Sequence, residues 1–129
     1  MFLKQPTVLV YRKVKEESRM KKAMIIGGSN GIGLAIALEL SQSCEDVIVV
    51  DRVAPSIALP SNCSFCKANL LSGDFSFLSD YEDINTLVIT AGFGRVAAFD
   101  NITPAEITNS FKVNTIAAFQ IIHHYFERM

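Results

Sequence analysis

The chain has 129 residues, half of them hydrophobic, with a formal net charge of −1 and three cysteines. Its length suits a single domain with its own core, and its near-neutral charge gives no indication of nucleic acid or an acidic membrane surface as a partner. No apolar run approaches the roughly 20 residues of a membrane-spanning helix, so the sequence predicts no membrane partner.

Residues 1–22 are predicted to form an N-terminal extension that precedes the domain proper at 23–129. Residues 7–11 are apolar and partly β-branched, which predicts a short strand, and a charged run follows over 12–22. Met20 lies just before the patterned region and is a candidate for an ancestral start. The N-terminus lacks a long apolar core and a small-residue cleavage site, so it is a poor signal peptide.

An apolar run at 23–26 leads into a glycine-rich turn with glycines at positions 27, 31 and 33, and a helix-forming segment follows over 32–41. Glycines let the backbone approach a phosphate closely, while a helix N-terminus offers unpaired N–H groups and the positive end of a dipole. The turn therefore predicts a site for a nucleotide pyrophosphate. A phosphate loop of the G-x-x-x-x-G-K type is excluded, because Leu34 stands where its lysine is needed.

The later predicted elements alternate between strands and helices. They are strands at 46–50, 63–68 and 86–90, a short helix within 72–82, and a last helix that begins after Thr103. Thr103 and Glu106 form the pattern of a capping box, with Pro104 in the first turn of the helix. Strands that alternate with helices predict a parallel sheet with right-handed crossovers.

Asp51 lies 18 residues after Gly33, at the end of the second core strand. A carboxylate there can accept hydrogen bonds from the ribose hydroxyls of a dinucleotide, and it would repel a 2′-phosphate. The sequence therefore predicts NAD as the cofactor, and the neighbouring Arg52 leaves NADP as the alternative. The alternative interpretation is that Asp51 is an ordinary aspartate in the loop after a strand and has no role in binding.

These segments resemble the short-chain dehydrogenase/reductase family, from about residue 20 to residue 129. The glycine turn is similar to the family's T-G-x-x-x-G-I-G, with Ile26 in place of the threonine, and Asp51 matches the ribose-binding acid. The resemblance implies cofactor contacts from Gly27, Ser29, Asn30, Gly31, Ile32, Gly33, Asp51, Arg52, Asn69, Leu70, Ala91 and Gly92.

Three further positions match the family in part. Asn69 and Leu70 fall where the family usually has an aspartate beside the adenine. Residues 89–92, Ile-Thr-Ala-Gly, match N-N-A-G with both asparagines replaced, which leaves open whether that motif still braces the sheet. Asn114 matches the helix asparagine that, in the family, helps to hold the catalytic lysine through water. It is the one catalytic candidate that the resemblance implies.

The resemblance implies an α/β fold, a partial doubly wound Rossmann fold whose parallel sheet has the core order 3-2-1-4 and lacks the C-terminal strands. One sheet edge is then predicted to be open, and residues 7–11 are a candidate substitute strand, within the same chain or from a partner. Open edges and uncovered apolar faces favour association. We therefore expect a homo-oligomer formed through the open edge or through the last helix.

The family's catalytic serine and Tyr-x-x-x-Lys helix normally lie beyond the position equivalent to Met129. Tyr11 and Lys15 have the Tyr-x-x-x-Lys spacing, but they precede the glycine turn and their flanks differ from those of the family. The predicted function is an NAD(P)-dependent oxidoreductase of short-chain type that is catalytically incompetent in these 129 residues. The alternatives are a non-catalytic dinucleotide-binding or self-association module, and a folded remnant that binds neither dinucleotide.

Cys63 and Cys66 form a C-x-x-C pattern, which can mark a redox pair or half of a metal site. They fall on a predicted strand, however, where positions three apart face opposite sides of the sheet. Buried inert thiols are therefore predicted, and His123 and His124 are interpreted as a packed or solvated helix end. No metal site is predicted, and the odd cysteine count favours a reducing cytoplasm.

Overall fold

The structure is a computed structural model that describes residues 9–12 and 22–129. In this part of the chain, the strands are β1 (Leu9–Arg12), β2 (Lys22–Ile26), β3 (Asp46–Asp51), β4 (Cys63–Lys67) and β5 (Thr86–Ile89). The α-helices are α1 (Gly31–Leu40), α2 (Pro104–Phe111) and α3 (Ala117–Tyr125), and a π-helical turn at Lys112–Ile116 joins α2 to α3. Short 3₁₀ turns lie at Leu70–Ser72, Ser76–Asp80 and Phe99–Asn101.

The strands form one sheet in the order β1-β5-β2-β3-β4. The four strands from β2 to β5 are parallel and confirm the predicted core order 3-2-1-4 of a partial Rossmann fold. Ile26 at the end of β2 lies opposite Val50 of β3 on one side and Ile89 of β5 on the other. The carboxyl ends of these three strands therefore meet at one edge of the sheet, where ligands bind in folds of this type.

The outer side of β5 is paired with β1, which runs antiparallel to it with Leu9 opposite Ile89 and Arg12 opposite Thr86. The expectation of an open edge beside the fourth core strand is therefore wrong, because a strand of the same chain forms the missing backbone pairs. The substitute-strand hypothesis is confirmed for Leu9–Arg12, while residues 7 and 8 lie outside the described residues. Tyr11 lies on this strand rather than on a helix, and Lys15 lies outside the described residues.

The sheet is covered on both faces, because alternate residues of each strand point to opposite sides. On one face, Met24, Ile48 and Leu87 pack with Ile121 and Tyr125 of α3. On the other face, the core consists of Ala23, Ile25, Val47, Val49 and Val88 with Ala37 of α1. Burial on both faces explains why β2, β3 and β5 are continuous apolar runs in the sequence.

The last predicted helix begins where expected. The Thr103 hydroxyl accepts a hydrogen bond from the Glu106 backbone at 3.2 Å, and the Glu106 carboxylate accepts one from the Thr103 backbone at 2.8 Å. The predicted helix does not continue as a single α-helix, because the π-helical turn interrupts it at Lys112–Ile116. The short helix expected within 72–82 is a 3₁₀ turn at Ser76–Asp80.

The three cysteines are free thiols. Cys66 packs on the α3 side of the sheet and Cys63 on the α1 side, so the predicted opposite orientation is confirmed. Cys44 is buried, whereas Cys63 and Cys66 are half-buried, which corrects the expectation that this pair is buried. Burial raises the pKa of the Cys44 and Cys63 thiols, which disfavours the reactive thiolate. Among the described residues, no helix has the length and apolar character needed to span a membrane.

Candidate functional site

The glycine turn between β2 and α1 is packed so tightly that two of its positions admit no side chain. A Cβ atom added to Gly27 would lie 2.5 Å from the backbone nitrogen of Ala91, and one added to Gly33 would lie 2.1 Å from the carbonyl oxygen of Gly27. Gly31 has open space around it, but its φ of +52° falls in the left-handed region that favours glycine. Packing explains the glycines at 27 and 33, and backbone conformation explains the glycine at 31.

The N-terminus of α1 opens toward solvent above this turn. Its capping residue, Asn30, makes no side-chain capping hydrogen bond, and the first turn of the helix carries no acidic residue. Asn30, Gly31 and Ile32 are exposed. The backbone N–H groups of the first helical turn and the positive end of the helix dipole are therefore accessible to an anion.

Asp51 at the end of β3 is tied to the glycine turn. Its Oδ2 accepts a hydrogen bond from the Ser29 backbone N–H at 3.1 Å, and its Oδ1 accepts one from the Arg52 backbone N–H at 2.7 Å. The Ser29 hydroxyl is buried without a hydrogen-bond partner among the described residues. An unpaired buried hydroxyl is uncommon in proteins, and it indicates that a ligand or water completes its bonding.

A cleft of about 230 Å³ lies over the carboxyl ends of the strands. Eight of the predicted cofactor residues line it, namely Gly27, Asn30, Asp51, Arg52, Asn69, Leu70, Ala91 and Gly92. Ser29, Gly31, Ile32 and Gly33 lie in the turn and the start of α1 and do not line the cleft. Sequence reasoning missed seven lining residues, namely Ile26, Val50, Ala68, Leu71, Thr90, Phe93 and Val113.

Asn69 follows β4 and begins a short 3₁₀ turn. Its side-chain Oδ1 accepts a hydrogen bond from the Leu71 backbone N–H at 3.1 Å. The backbone N–H of the preceding Ala68 donates to the Asp51 carbonyl oxygen at 2.9 Å. The residues after β4 are therefore held directly beside Asp51, on the same wall of the cleft.

Thr90 joins the end of β5 to the glycine turn. Its backbone N–H donates to the Ile26 carbonyl oxygen at 2.8 Å, and its hydroxyl lies 3.1 Å from that oxygen and 3.0 Å from the carbonyl oxygen of Gly27. The loop is thus braced although both asparagines of the family motif are replaced. A polar residue directly after a buried apolar strand is the sequence signal that could have identified this contact.

Asn114 lies in the π-helical turn and holds the loop that follows β5. Its Oδ1 accepts a hydrogen bond from the Phe93 backbone N–H at 2.7 Å, and its Nδ2 donates to the Phe93 carbonyl oxygen at 2.8 Å. Nδ2 also lies 3.1 Å from the Ser110 hydroxyl. Asn114 itself does not line the cleft, whereas its neighbour Val113 does.

Asp51 and Arg52 are the ionisable side chains among the described residues that line the cleft. Tyr125 is fully buried, with its hydroxyl 3.4 Å from the Leu78 carbonyl oxygen, and burial strongly raises its pKa. His124 lies outside the cleft at the end of α3, 3.5 Å from a Glu82 carboxylate oxygen. The cleft thus offers an anion site and a carboxylate, which suits binding more than proton transfer.

A model of the short chain dehydrogenase family matches residues 21–129. The chain belongs to the short-chain dehydrogenase family. A similar relative is the uncharacterized oxidoreductase YDL114W of Saccharomyces cerevisiae, 29% identical over 121 residues that cover 87% of this chain and 39% of the relative. Another is the uncharacterized oxidoreductase YvrD of Bacillus subtilis, 28% identical over 121 residues that cover 84% of this chain and 46% of the relative.

Solved structures of short-chain dehydrogenases share this fold. One short chain dehydrogenase/reductase family protein has a TM-score of 0.74 at 21% identity, over 85% of this chain and 51% of its own. The short chain dehydrogenase of Leptospira borgpetersenii, solved with bound NAD+, has a TM-score of 0.68 at 23% identity, over 91% of this chain and 50% of its own. The chain therefore spans about two fifths to one half of the length of these relatives.

Proposed function

We propose that the chain binds a nicotinamide adenine dinucleotide in the cleft, with the pyrophosphate at the N-terminus of α1 and the adenosine ribose at Asp51. The hydrogen bond from the Ser29 N–H to Asp51 Oδ2 at 3.1 Å carries this proposal, because it places the ribose acid directly against the phosphate-binding turn. The residues fit such a ligand. Gly27 and Gly33 keep side chains away from the turn, and Asn30, Gly31 and Ile32 at the start of α1 are exposed to a ligand.

The preferred dinucleotide in this proposal is NAD. A fixed carboxylate beside the ribose accepts hydrogen bonds from two free hydroxyls, whereas a 2′-phosphate would face the negative charge of Asp51. Both Asp51 oxygens already accept backbone N–H groups, so the side chain is held in place and cannot easily turn away. Arg52 also lines the cleft, and its cation is the feature that would favour NADP.

These 129 residues supply the cofactor-binding part of an oxidoreductase of alcohols or carbonyl compounds and do not transfer hydride by themselves. The nicotinamide ring of a bound dinucleotide supplies the hydride chemistry in enzymes of this kind. The residues of this chain bind and orient the cofactor, and Asn114 positions the loop over the cleft. No tyrosine or lysine among the described residues lines the cleft to donate the proton that carbonyl reduction requires.

Calorimetric titration of the purified chain with NAD and NADP tests this proposal. We expect NAD to bind and NADP to bind more weakly. A chain that binds neither dinucleotide is a folded remnant, which overturns the proposal. Steady oxidation of NADH in the presence of simple ketones would contradict the proposal that these 129 residues do not transfer hydride by themselves, because it would show that they contain a complete active site.

We further propose that two copies of the chain associate through the helix pair α2–α3. Large apolar side chains are exposed on these helices and on the π-helical turn that joins them, at Ile107, Phe111, Ile116 and Phe119, the last of them 71% exposed. Exposed apolar surface favours association. The β5 edge is covered by β1, so the helix face is the better candidate of the two predicted interfaces. Sedimentation of the chain and of Phe119→Lys tests this, and a monomeric parent chain would contradict it.

The free thiols favour a reducing compartment, and we propose the cytoplasm. The division of the chain into an extension at 1–22 and a domain at 23–129 stays a prediction. It can be checked by limited proteolysis, where we expect cleavage between β1 and β2 before any cut within the domain.

A further inference from the structure

Two of the three free thiols lie near the amino ends of β3 and β4, at the edge of the sheet opposite the cleft. Cys44 lies in the segment between α1 and β3, and Cys63 is the first residue of β4. Cys44 is a buried member of the apolar cluster between α1 and the sheet, and Cys63 packs against the same cluster. Cys66 packs on the other face of the sheet. The fold therefore brings Cys44 and Cys63 to one side, and it separates the two cysteines of the C-x-x-C pattern.

Asn62 joins the two segments that carry these thiols. Its Nδ2 donates to the Cys44 carbonyl oxygen at 3.1 Å and to the Ser41 carbonyl oxygen at 2.8 Å. Its backbone carbonyl oxygen accepts a hydrogen bond from the Val47 N–H at 2.9 Å. Val47 lies opposite Cys63 in the parallel register, and both side chains pack toward α1. The segment that contains Cys44 is thus bonded directly to the residue that precedes Cys63.

The ionisation of Cys63 also reflects the nearness of this segment. Burial raises the pKa of the Cys63 thiol, a hydrogen bond with the Ser41 side chain lowers it, and a negative charge on Cys44 raises it. Ser41 directly follows α1 and lies three residues before Cys44. The Cys63 thiol therefore faces the same segment that carries Cys44. Because Cys63 is half-buried and Cys44 is buried, a small reagent in solution reaches Cys63 first.

We propose that Cys44 and Cys63 form an intramolecular disulfide when the folded chain meets a small disulfide compound such as oxidised glutathione. The Cys63 thiolate attacks one sulfur of the reagent, forms a mixed disulfide and expels one glutathione thiolate. The Cys44 thiolate then attacks the Cys63 sulfur and expels the second glutathione thiolate. The two cysteines are oxidised, the reagent is reduced to two glutathione molecules, and these take up the two cysteine protons.

The position of Cys44 outside the strands makes this bond compatible with the fold. A disulfide needs two Cβ atoms that are about 4 Å apart. The segment between α1 and β3 can move toward β4 while the backbone pairing of β3 with β4 is kept. The bond ties the end of α1 to the start of β4 and closes a loop that contains the whole of β3. This inference does not depend on the binding of a dinucleotide.

Incubation of the full chain with oxidised glutathione at mildly alkaline pH tests the inference, because burial raises the pKa of both thiols and the thiolate is the attacking form. The reaction is quenched with acid, and the peptides are mapped by mass spectrometry without reduction. We expect Cys44 and Cys63 to be lost as thiols and recovered in one disulfide-linked peptide pair. In urea, the share of this pair should fall to roughly one third or less, because three thiols allow three pairings.

Cys66→Ser is the matched control, because it also removes one half-buried thiol, and it should form the bridge like the parent chain. Cys44→Ser should stop at the mixed disulfide on Cys63. The inference is overturned if the folded parent chain keeps both thiols free, retains glutathione on Cys63, or joins Cys63 to Cys66 or to a second chain. The mapping is made on the parent chain, so the result stands even if a variant fails to fold.

Discussion

The hydroxyl of Thr90 lies 3.0 Å from the carbonyl oxygen of Gly27, across the gap between β5 and the glycine turn. This contact joins two segments that are more than 60 residues apart in the sequence. A Cβ atom added at Gly33 would lie 2.5 Å from the same hydroxyl. The turn, the start of α1 and the loop after β5 therefore form one packed unit at the floor of the cleft.

Replacing Thr90 with valine tests the strength of this unit. The change keeps the shape of the side chain and removes the donor, so we expect the free energy of unfolding to fall by about 1 kcal/mol, as for one lost hydrogen bond. Urea denaturation measures the change. Thr86→Val is the matched control, because the Thr86 hydroxyl is buried at the start of β5, the strand that Thr90 follows, without a partner among the described residues. Thr86→Val should be as stable as the parent chain or more stable. An equal decrease in the free energy of unfolding in both variants would contradict a stabilising hydrogen bond from Thr90 to the glycine turn.

Gly33→Ala should disrupt the cleft floor. The added methyl group meets the Gly27 carbonyl oxygen at 2.1 Å, so the turn must shift, at a cost of about 1–3 kcal/mol in the free energy of unfolding. We also expect calorimetry to show weaker binding of NAD. Gly94→Ala is the control, since a Cβ atom there meets no atom within 4 Å and the backbone is not left-handed. Normal stability and NAD affinity in Gly33→Ala would show that the glycine turn is packed more loosely than these contacts imply.

Asp51→Ala tests the ribose assignment. Loss of hydrogen bonds to a charged carboxylate should weaken NAD binding by about tenfold or more, while NADP binding should weaken less, because repulsion of the 2′-phosphate is lost as well. Asp46→Ala is the control at the other end of the same strand, where the side chain is exposed. Titration of both variants with both dinucleotides gives the selectivity. The assignment fails if Asp51→Ala reduces the two affinities by the same factor.

The pairing of β1 with β5 can be removed with proline. Adjacent residues of a strand direct their N–H groups to opposite sides, so the double substitution Val10→Pro with Tyr11→Pro removes one N–H that faces β5. We expect faster hydrogen exchange of the amides in Thr86–Ile89 and increased aggregation, because an exposed edge pairs with other chains. The double alanine variant keeps both N–H groups and serves as the control. Unchanged exchange in the proline variant would contradict the pairing.

The capping box of α2 should make stability depend on pH. Hydrogen bonds from the backbone and hydroxyl of Thr103, with a smaller effect of Arg95, lower the pKa of Glu106. A carboxyl group with a lowered pKa in the folded state stabilises it above the ordinary glutamate pKa, and this contribution is lost as the pH falls through the lowered value. Glu106→Gln should therefore destabilise the protein near neutral pH and have a smaller effect in acid. Thermal unfolding across this range measures the difference, and an effect independent of pH would contradict it.

The parallel core could be predicted because its strands are short apolar runs separated by turn signals. Residues 47–50 and 86–89 are buried, and short apolar runs of this kind are typical of strands that are covered on both faces of a parallel sheet. The antiparallel direction and the register of β1 could not be predicted, since residues 7–11 carry no signal of either. The π-helical turn was missed for a similar reason, because nothing in the sequence of 112–116 marks the interruption of an otherwise regular helical pattern.

Site residues with a local signature were easier to identify than those defined by contacts between segments. Gly27 and Asp51 follow strands at recognisable spacing, and both line the cleft. The bonds of Thr90 to the glycine turn and of Asn114 to Phe93 depend on which loops meet above the sheet. The hydrogen bond from the Leu71 N–H to the Asn69 side chain likewise depends on a turn of only three residues that the sequence does not mark.

The direction of β1 affects how the chain should be purified for binding measurements. Since β1 runs antiparallel to β5, the chain enters the sheet at Leu9 beside Ile89, at the edge that bears the cleft. An affinity tag joined ahead of residue 1 is therefore tethered on the ligand side of the molecule. A tag at the other terminus adjoins Met129, whose side chain is buried in the core. A cleavable N-terminal tag, removed before titration, leaves both the cleft and the core undisturbed.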